Sequence, residues 1–428
     1  MGSSEGRPFV LILGGGPAGL VTAFGIVKGG GSATVVERGR YDGIRIGEHL
    51  PPEGVSLLQS AGFSGCENGA HMRSAGVSAW WGGTTPNYRD YLFHPVGHGL
   101  NLSRPHFDAC LAEQCRSTGV QILTGARLVD VARTSSGWRA VVQCGEHVQI
   151  YEPRVVVDAT GSSAAFARLQ GSSIEARDSQ VALIAFRASN PPVDPASGRV
   201  VIESVEDGWW YFAPLSGGRS VCMFMTDAEL LAARRGSVLA TWERQLQRTL
   251  HVRSSVDEYP VLAKFVVRSA RSQRLDRVSG RGWAAVGDAA MVFDPLSSHG
   301  IAKGVEHGLQ AADAVLSYLG GDGTALERLS DGFAAEFTSH EQERLGYYAL
   351  EGRWPHAPFW QRRQPGDMSL WNRGGLGYTR EAWRVSDPEA GLRVHARPAV
   401  PDADLPVRQR DAEASACRSS PTDRRTPP

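Results

Sequence analysis

The chain has 428 residues, enough for two or three domains or for one large domain that carries an insertion. Apolar residues make up 42% and charged residues 21%, values typical of globular proteins, which excludes a disordered or fibrous chain. Basic and acidic residues number 45 each, so no net field attracts nucleic acid or an anionic membrane. We therefore expect neither a nucleic-acid partner nor a membrane partner.

Cysteine use and the first residues indicate the compartment. The six cysteines are irregularly spaced, without a C-x-x-C pair or a zinc-type Cys/His cluster, which predicts reduced thiols and no metal site: Cys66, Cys110, Cys115, Cys144, Cys222 and Cys417. The first apolar run, residues 9–13, is too short for a signal sequence or a membrane span. A cytoplasmic enzyme is expected.

The first 37 residues predict a β-α-β unit built around a glycine turn. An apolar run (9–13) precedes the sequence GGGPAG, a stretch compatible with a helix follows, and a second apolar run occupies 33–37. Gly14 permits the tight turn, Gly16 lets the backbone approach a pyrophosphate, and Gly19 allows close packing of helix on strand.

The residues beside these glycines complete a predicted dinucleotide site. Pro17 and Ala18 begin the helix, whose N-terminus stabilises phosphate charge. Glu37, at the end of the second strand, is placed to accept both hydroxyls of an adenosine ribose, and we assign Arg38 to the same site. A glycine turn without a ligand is the alternative interpretation.

The middle of the chain predicts two further sheets. A helix is expected over 104–120, and four short runs (120–123, 127–133, 138–144 and 148–152) predict a small antiparallel meander. Strand patterns with Pro and Gly turns between them fill 180–270, interrupted by one predicted helix at 237–250.

The end of the chain predicts a return to the first domain. An apolar run ends at residue 290, and helices are expected over 300–319 and 325–352. Residues 386–428 contain seven prolines and no aromatic residue, a composition that predicts disorder.

The predicted fold class is α/β, with a Rossmann-like dinucleotide-binding domain, an inserted and mostly antiparallel β-sheet domain, and a C-terminal helical segment. The predicted boundaries are 1–178 with 279–324 for the dinucleotide-binding domain, 179–278 for the inserted sheet domain, 325–385 for the helical segment and 386–428 for the tail.

A second motif, downstream, favours FAD over NAD. Asp288, after an apolar run, can hydrogen-bond the ribityl hydroxyls of a flavin, whereas a helix N-cap is its ordinary alternative role. The turn from Pro295 to Gly300 and Ile301 aims helix N–H groups at the flavin N1 and C2 carbonyl, where they stabilise the reduced, anionic flavin.

With both motifs in place, the chain resembles flavoprotein monooxygenases of the para-hydroxybenzoate-hydroxylase type. It is most similar to the branch shared by flavin-dependent tryptophan halogenases and the monooxygenases that modify a peptidyl tryptophan during maturation of cysteine tryptophylquinone. The stretches that carry this resemblance are RIGEHLPP (45–52), SAWWG (78–82), GHGLNLSRPHFD (97–108), VVDATG, GWWYFAPL (208–215), GDAAMVFDPLSSHGI (287–301) and YYALEGRWPHAPFWQRR (347–363).

The resemblance implies that residues 1–178 with 279–324 form a Rossmann-like FAD-binding domain of the GR2 type and that the sheet domain at 179–278 binds the substrate. It also implies FAD, reductant-driven oxygen chemistry and an aromatic substrate. It implies that Arg45 and Glu48 lie on a loop over the flavin, Arg104 near the pyrophosphate and Gly161 near the adenosine, with Pro295 and Gly300 beside the isoalloxazine. Guanidinium groups suit phosphate because they are always charged and bind it through two donors, although an isolated arginine more often forms a surface salt bridge.

Two features distinguish halogenation from hydroxylation. Halogenases of this branch carry a W-x-W-x-I-P segment, but here Trp209 and Pro214 are kept while Tyr211 and Ala213 occupy the other two positions. Halogenases also use a lysine to handle hypohalous acid, and no lysine exists between Lys28 and Lys264. Hydroxylation is therefore favoured.

For hydroxylation by a C4a-hydroperoxyflavin the protein must exclude water and hold the ring. Strand alternation places Trp209 and Tyr211 on one face, as candidate substrate-binding residues or as ordinary core, and Trp210 and Phe212 on the other. His49 and His299 are candidate catalytic proton acceptors, with a structural role as the alternative for each.

The sequence thus predicts an FAD-dependent monooxygenase that hydroxylates an aromatic ring, with tryptophan, free or within a peptide or protein, as the favoured substrate. The electron source is expected to be NAD(P)H or a separate flavin reductase, because no second dinucleotide fingerprint is found. The alternatives are a tryptophan halogenase, a flavin-dependent reductase of an isoprenoid double bond, and a non-catalytic flavoprotein scaffold.

Overall fold

The computed structural model describes residues 9–189 and 198–364. The described strands are β1 Phe9–Leu13, β2 Ser32–Glu37, β3 His49–Leu50, β4 Met72–Ser74, β5 Gly76–Trp80, β6 Asn87–Asp90, β7 Gly99–Asn101, β8 Gln121–Thr124, β9 Ala126–Arg133, β10 Trp138–Cys144, β11 His147–Tyr151, β12 Val155–Asp158, β13 Ile174–Ala176, β14 Gln180–Ala188, β15 Val200–Val205, β16 Gly208–Leu215, β17 Arg219–Asp227, β18 Val261–Ser269, β19 Gln273–Leu275, β20 Ser279–Gly280, β21 Trp283–Ala285 and β22 Met291–Val292. The described α-helices are α1 Pro17–Lys28, α2 Pro52–Ser60, α3 Arg104–Ser117, α4 Ala165–Leu169, α5 Ala228–Ala232, α6 Val238–Leu246, α7 His251–Asp257, α8 Gly300–Leu319, α9 Ala325–Ala349 and α10 Pro358–Gln361.

A six-stranded sheet, mostly parallel, forms the base of the fold, in the order β20-β21-β12-β1-β2-β8. β1 pairs in parallel with β2, which confirms the predicted β-α-β unit, and with β12, which brings the chain back to this sheet at residue 155. The sequence predicts the run at 120–123 as part of the meander, but its residues belong to β8, which pairs in parallel with β2. The meander therefore has three strands, β9 to β11, since a four-residue run does not show which partner it takes.

A second large sheet has seven strands, in the order β18-β14-β17-β16-β15-β5-β6. Its last two strands come from residues 76–90, ahead of the segment from which the sequence predicts this sheet, and β5 joins β15 in parallel. The helix predicted at 237–250 is present as the shorter α6, Val238–Leu246, and two helices that the sequence does not predict, α5 and α7, flank it. Segments distant in sequence thus build one sheet.

The two faces of β16 enter different cores, as strand alternation predicts. Trp209 and Tyr211 pack in a cluster with Trp81, and Trp210 and Phe212 pack in another on the opposite face. The face that carries Trp209 and Tyr211 is also contacted by Ile46 and Leu296, which lie on the RIGEHLPP and DPLSS segments. This face is therefore turned toward the predicted flavin site.

The C-terminal stretch after α9 packs against the seven-stranded sheet. The indole nitrogen of Trp360 donates to the carbonyl oxygen of Val205 at 3.0 Å. The buried Glu351 accepts a hydrogen bond from the backbone N–H of Gly82 at 2.8 Å. The stretch RWPHAPFW (353–360) thus packs into the core. The predicted tail at 386–428 lies outside the described residues.

The cysteines differ from the prediction of reduced thiols. Cys66 and Cys110 form a disulfide with their Cα atoms 5.6 Å apart. Cys115, Cys144 and Cys222 are free thiols, and Cys417 lies outside the described residues. The prediction was wrong for the pair because a residue separation of 44 does not reveal that the loop after α2 returns to α3.

The predicted boundary at 178 falls between β13 and β14, and the boundary at 278 falls just before β20. Nevertheless, the described residues belong to one compact unit. Across 9–189 and 198–364, no helix combines the length and hydropathy that crossing a membrane requires.

Candidate functional site

The glycine turn between β1 and α1 has three glycines with three different tasks. Gly14 has a φ of +113°, and a Cβ there would lie 2.1 Å from the carbonyl oxygen of Ala159. A Cβ on Gly19 would lie 2.1 Å from the carbonyl oxygen of Gly14. A Cβ on Gly16, in contrast, would meet nothing closer than an Arg45 nitrogen at 3.9 Å. The turn therefore keeps an open cradle at the start of a helix, which suits a phosphate.

Glu37 and Arg45 border this cradle. The Glu37 carboxylate accepts the backbone N–H groups of Gly15 and Gly39, each at 2.7 Å. Arg45 Nη2 lies 3.0 Å from Glu37 Oε1, and Arg45 Nη1 lies 3.3 Å from Asp108 Oδ2. An acid at the ribose position and a guanidinium at the cradle suit an adenosine diphosphate group.

Arg104 has a supporting role in the loop that carries Glu48. Its guanidinium pairs with Asp108 Oδ1 and Oδ2 at 3.2 Å each, and it donates to the carbonyl oxygens of Ile46 at 2.5 Å and Gly47 at 3.1 Å. This pair is buried, so the surface salt-bridge alternative does not apply. The resemblance implies that Arg104 lies near the pyrophosphate. In the structure, its hydrogen bonds hold the neighbouring loop at Ile46 and Gly47 in place. Arg38 is exposed.

The early and late motifs meet in space. A Cβ on Gly287, which has a φ of +58°, would lie 2.7 Å from Ala18 Cβ. A Cβ on Gly304 of α8 would lie 3.6 Å from Pro17 Cβ. The two segments that the sequence assigns to opposite ends of one cofactor are therefore in contact.

The late motif presents a partly open carboxylate and a helix N-terminus. The Asp288 side chain is 48% exposed, and its Oδ1 lies 2.8 Å from Nζ of the buried Lys303. Gly300 opens α8 with room for a ligand, since a Cβ there would meet nothing within 4 Å, while Ile301 is buried. Gly161, with a φ of +71°, has similar open space beyond β12.

These features fit FAD. An open glycine cradle, an acid at the end of β2, an accessible Asp288 and an open helix N-terminus match the phosphate, ribose, ribityl and flavin-ring contacts that a dinucleotide requires. The residues that would hold FAD are Gly14, Gly16, Pro17, Ala18, Gly19, Glu37, Arg45, Asp288 and Gly300.

The turn before α8 is tied to the C-terminal stretch. Asp294 Oδ1 accepts the backbone N–H of Leu296 at 3.0 Å and so caps the short 3₁₀ helix Pro295–Ser297. Its Oδ2 accepts the hydroxyl of Tyr348 at 2.9 Å, and that hydroxyl in turn accepts the indole N–H of Trp209 at 3.0 Å. The sheet, the turn and α9 share one hydrogen-bonded chain.

Removing the Tyr348 hydroxyl is expected to loosen this turn. Tyr348→Phe leaves Trp209 Nε1 without its partner and removes the shorter of the hydrogen bonds to Asp294 Oδ2, which keeps Gln180 Nε2 at 3.4 Å; the expected cost is about 1–3 kcal/mol of unfolding free energy. Urea unfolding measures this loss. Tyr347→Phe, at the neighbouring and more exposed position, is the matched control and is expected to change stability by less than about 0.5 kcal/mol. Equal losses in the two variants would contradict the assignment.

The two candidate histidines have different surroundings. His49 is buried, its Nδ1 lies 3.0 Å from Asn101 Oδ1, and its Nε2 lies 3.0 Å from the Tyr91 hydroxyl. Burial lowers the pKa of His49 to about 4. With both ring nitrogens bonded, His49 fits the structural alternative and not the catalytic one. His299 is partly exposed at the N-terminus of α8, with Nε2 3.5 Å from Glu306 Oε2.

The two predicted substrate-binding residues, Trp209 and Tyr211, also have different surroundings. Trp209 is fully buried and its N–H is committed to Tyr348, so it is a core residue. Tyr211 is 7% exposed, and its hydroxyl has no hydrogen-bond partner within the described part of the chain. Burial and the nearby Glu48 carboxylate raise the pKa of Tyr211. Tyr211 thus remains available to a ligand.

The sequence did not predict the aromatic residues that pack with Trp209 and Tyr211, nor the raised pKa of Glu48. Trp81, Tyr348 and Trp360 form edge-on contacts, with Trp81 ring centroids 5.6 Å from Tyr348 and 5.3 Å from Trp360. These residues lie in the SAWWG and YYALEGRWPHAPFW stretches. Both stretches carry the family resemblance, but the resemblance assigns no role to their residues. Burial raises the pKa of Glu48 to about 7 against the opposing effect of Arg104.

Comparison with known proteins shows the family. The model of a family described as FAD binding domain matches residues 8–343. The putative FAD-dependent oxidoreductase LodB of Marinomonas mediterranea is 27% identical over 361 residues, which are 82% of this chain and 96% of LodB. The tryptophan 2-halogenase of Chondromyces crocatus is 25% identical over 333 residues, 73% of this chain and 62% of the halogenase.

A solved structure agrees with these relatives. The peptidyl tryptophan dihydroxylase QhpG, described as essential for tryptophylquinone cofactor biogenesis, superposes with a TM-score of 0.69 at 25% identity. The similarity covers 83% of this chain and 78% of QhpG. The predicted fold class and the predicted resemblance are confirmed. The chain therefore belongs to the FAD-binding domain family of FAD-dependent oxidoreductases.

Proposed function

We propose that the protein is an FAD-dependent monooxygenase that hydroxylates the aromatic ring of a tryptophan held in a peptide. The observation that carries this proposal is that none of the three lysines lies on β16 or on the strands beside it, β15 and β17. Lys28 ends α1 over the ring of Phe24, Lys264 is exposed on the edge strand β18, and the buried Lys303 on α8 pairs with the half-exposed Asp288. These positions disfavour the halogenase alternative, which requires an ammonium group at the substrate.

The relatives support tryptophan as the substrate class. LodB and QhpG are similar to this chain over more than three quarters of their length, and QhpG acts on a peptidyl tryptophan. The tryptophan 2-halogenase is also similar, so similarity alone does not separate oxygen insertion from halogenation. The lysine positions favour oxygen insertion.

When bound, FAD supplies the activation of dioxygen. The residues of the chain bind and orient the cofactor and the substrate. The glycine turn, Glu37 and Arg45 hold the adenosine diphosphate half, and Asp288 with the N-terminus of α8 holds the flavin half. The buried aromatic face of β16 excludes water and packs against a planar substrate ring.

Isotope labelling tests the proposed reaction. A peptide that contains tryptophan is incubated with the FAD-loaded protein, a reductant and ¹⁸O₂, and chloride and bromide are included. We expect a hydroxylated ring that carries ¹⁸O and no halogenated product. A chlorinated or brominated indole, or a product without ¹⁸O, would overturn the proposal, as would turnover under anaerobic conditions.

We also propose that electrons come from NAD(P)H or from a separate flavin reductase. Stopped-flow absorbance of the bound flavin, with NADPH alone and then with an added reductase, distinguishes the two sources. Rapid bleaching by NADPH alone assigns the nicotinamide as direct donor.

A further inference from the structure

We infer that Glu48 and Tyr211 form the polar pair that recognises the N–H group of the substrate's indole ring. This inference rests on the proposed function, because it names how the same site distinguishes an indole from other aromatic rings. It assigns Glu48 to the substrate, whereas the resemblance places it only on a loop near the flavin.

Glu48 has one carboxylate oxygen that no described residue contacts. The residue is 3% exposed, and its Oε2 accepts the backbone N–H of Gly47 at 3.0 Å. Its Oε1 is buried and has no partner in the described ranges. A buried acceptor left unpaired costs about 1–3 kcal/mol, so an unbonded carboxylate oxygen indicates a place for a donor from a ligand.

The neighbouring cation does not supply that donor. Nη1 and Nη2 of Arg104 bond to the carbonyl oxygens of Ile46 and Gly47 and to the Asp108 carboxylate, and Arg104 Nε, although without a partner in the described chain, does not bond to Oε1 either. Arg104 therefore fixes the loop and stabilises negative charge on Glu48 through space, while Oε1 stays available.

Tyr211 places a second unbonded polar atom on the same side. Its hydroxyl is buried without a partner in the described chain, and after burial itself the Glu48 carboxylate has the largest effect on the pKa of Tyr211, which it raises. Ile46 from the Glu48 loop and Leu296 from the turn before α8 pack on the cluster that contains Tyr211. The pair thus lies where the aromatic sheet face, the loop and the turn into α8 converge.

An indole N–H satisfies the unpaired oxygen of Glu48, which a hydrocarbon ring cannot do. It is a single donor set in the plane of a large aromatic ring, so the ring can pack on the aromatic face while the N–H points to a carboxylate. When an electrophilic oxygen adds to the indole ring, positive charge develops on the ring nitrogen, and the bond to a carboxylate strengthens. Glu48 therefore stabilises the transition state more than the bound substrate.

The ionisation of Glu48 adds a pH dependence with a definite sign. Burial raises the pKa of Glu48 to about 7, while Arg104 from α3 opposes the rise, Tyr211 from β16 faces it, and the adjoining His49 stays neutral with a pKa of about 4. The carboxylate form, which accepts the N–H, is present above pH 7 and is lost below it. Turnover of tryptophan is therefore expected to rise with pH through about 7.

The test compares a tryptophan peptide with the same peptide that carries 1-methyltryptophan, in the FAD-loaded full chain. The wild type is expected to prefer tryptophan by about 30-fold in kcat/KM, because the methylated ring has no N–H to donate. Glu48→Gln is expected to lose about 30-fold on tryptophan, to lose little on 1-methyltryptophan and to lose the rise through pH 7. Glu243→Gln, on the exposed face of α6, is the matched control and is expected to behave as the wild type.

A binding measurement accompanies turnover. Titration of the oxidised, FAD-loaded protein with each peptide, followed by flavin absorbance, is expected to show tighter binding of tryptophan in the wild type and equal binding in Glu48→Gln. Equal losses on both peptides, or release of FAD by Glu48→Gln, would assign Glu48 to the flavin and overturn the inference. If the wild type hydroxylates neither peptide but still discriminates between them in binding, the proposed function fails and the recognition pair stands.

Discussion

Replacing Gly16 by valine is expected to give a folded protein that is colourless. A Cβ at Gly16 would meet no atom closer than 3.9 Å, and the φ of Gly16, −81°, suits any residue. The valine is therefore compatible with the fold of the chain. The side chain occupies the space at the N-terminus of α1 into which a pyrophosphate must come. We expect FAD affinity to fall at least about 100-fold, equivalent to about 2.7 kcal/mol.

The measurements are flavin absorbance of the purified variant and titration with FAD. Gly43→Val is the matched control, because a Cβ on Gly43 would also meet nothing within 4 Å and the residue lies outside the turn. It is expected to be yellow and to bind FAD as the wild type does. A yellow Gly16→Val protein with normal affinity would show that the cradle does not hold the phosphates.

Arg363→Met is expected to destabilise the protein by about 3–5 kcal/mol, because it removes the buried guanidinium that pairs with Asp227 Oδ1 and leaves this buried carboxylate only its contact with the half-exposed Arg362. Arg363 is 1% exposed, its Nη2 lies 2.6 Å from Asp227 Oδ1, and its guanidinium lies 3.8 Å from the centre of the Phe359 ring. Asp227 is equally buried at the end of β17. The pair joins the C-terminal stretch to the sheet that carries Tyr211.

The adjacent Arg362 provides a matched control. Its Nη1 lies 2.9 Å from the same Asp227 carboxylate, but its side chain is 45% exposed. Water screens such a pair, so Arg362→Met is expected to cost less than about 1 kcal/mol. Urea unfolding followed by tryptophan fluorescence compares the two variants. Similar losses in the two variants would show that burial does not set the strength of these pairs.

Local patterns in the sequence were sufficient for the elements that obey short-range rules. The spacing of Gly14, Gly16 and Gly19 follows from sterics within one turn, and the structure shows the close approaches that this spacing predicts at Gly14 and Gly19. The separation of Trp209 and Tyr211 from Trp210 and Phe212 follows from the two-residue period of a strand. The family resemblance, carried by ordered motifs, was equally accessible.

Partners that depend on long-range packing were not accessible in this way. The pairing of β8 with β2, the entry of residues 76–90 into the seven-stranded sheet and the disulfide between Cys66 and Cys110 each join segments whose local patterns allow several partners. Short strands carry too little alternation to select one neighbour over another.

What the sequence by itself determined is the class of protein: two flavin motifs in order, an aromatic strand between them, and no lysine from residue 29 to residue 263. Only the tertiary structure decided which polar groups are committed and which are available. His49 and Trp209 have their hydrogen bonds satisfied inside the core, whereas Glu48 Oε1 and the Tyr211 hydroxyl do not. The physical reason is that availability for binding depends on burial and on neighbours from distant segments, and neither is written in the local pattern of residues.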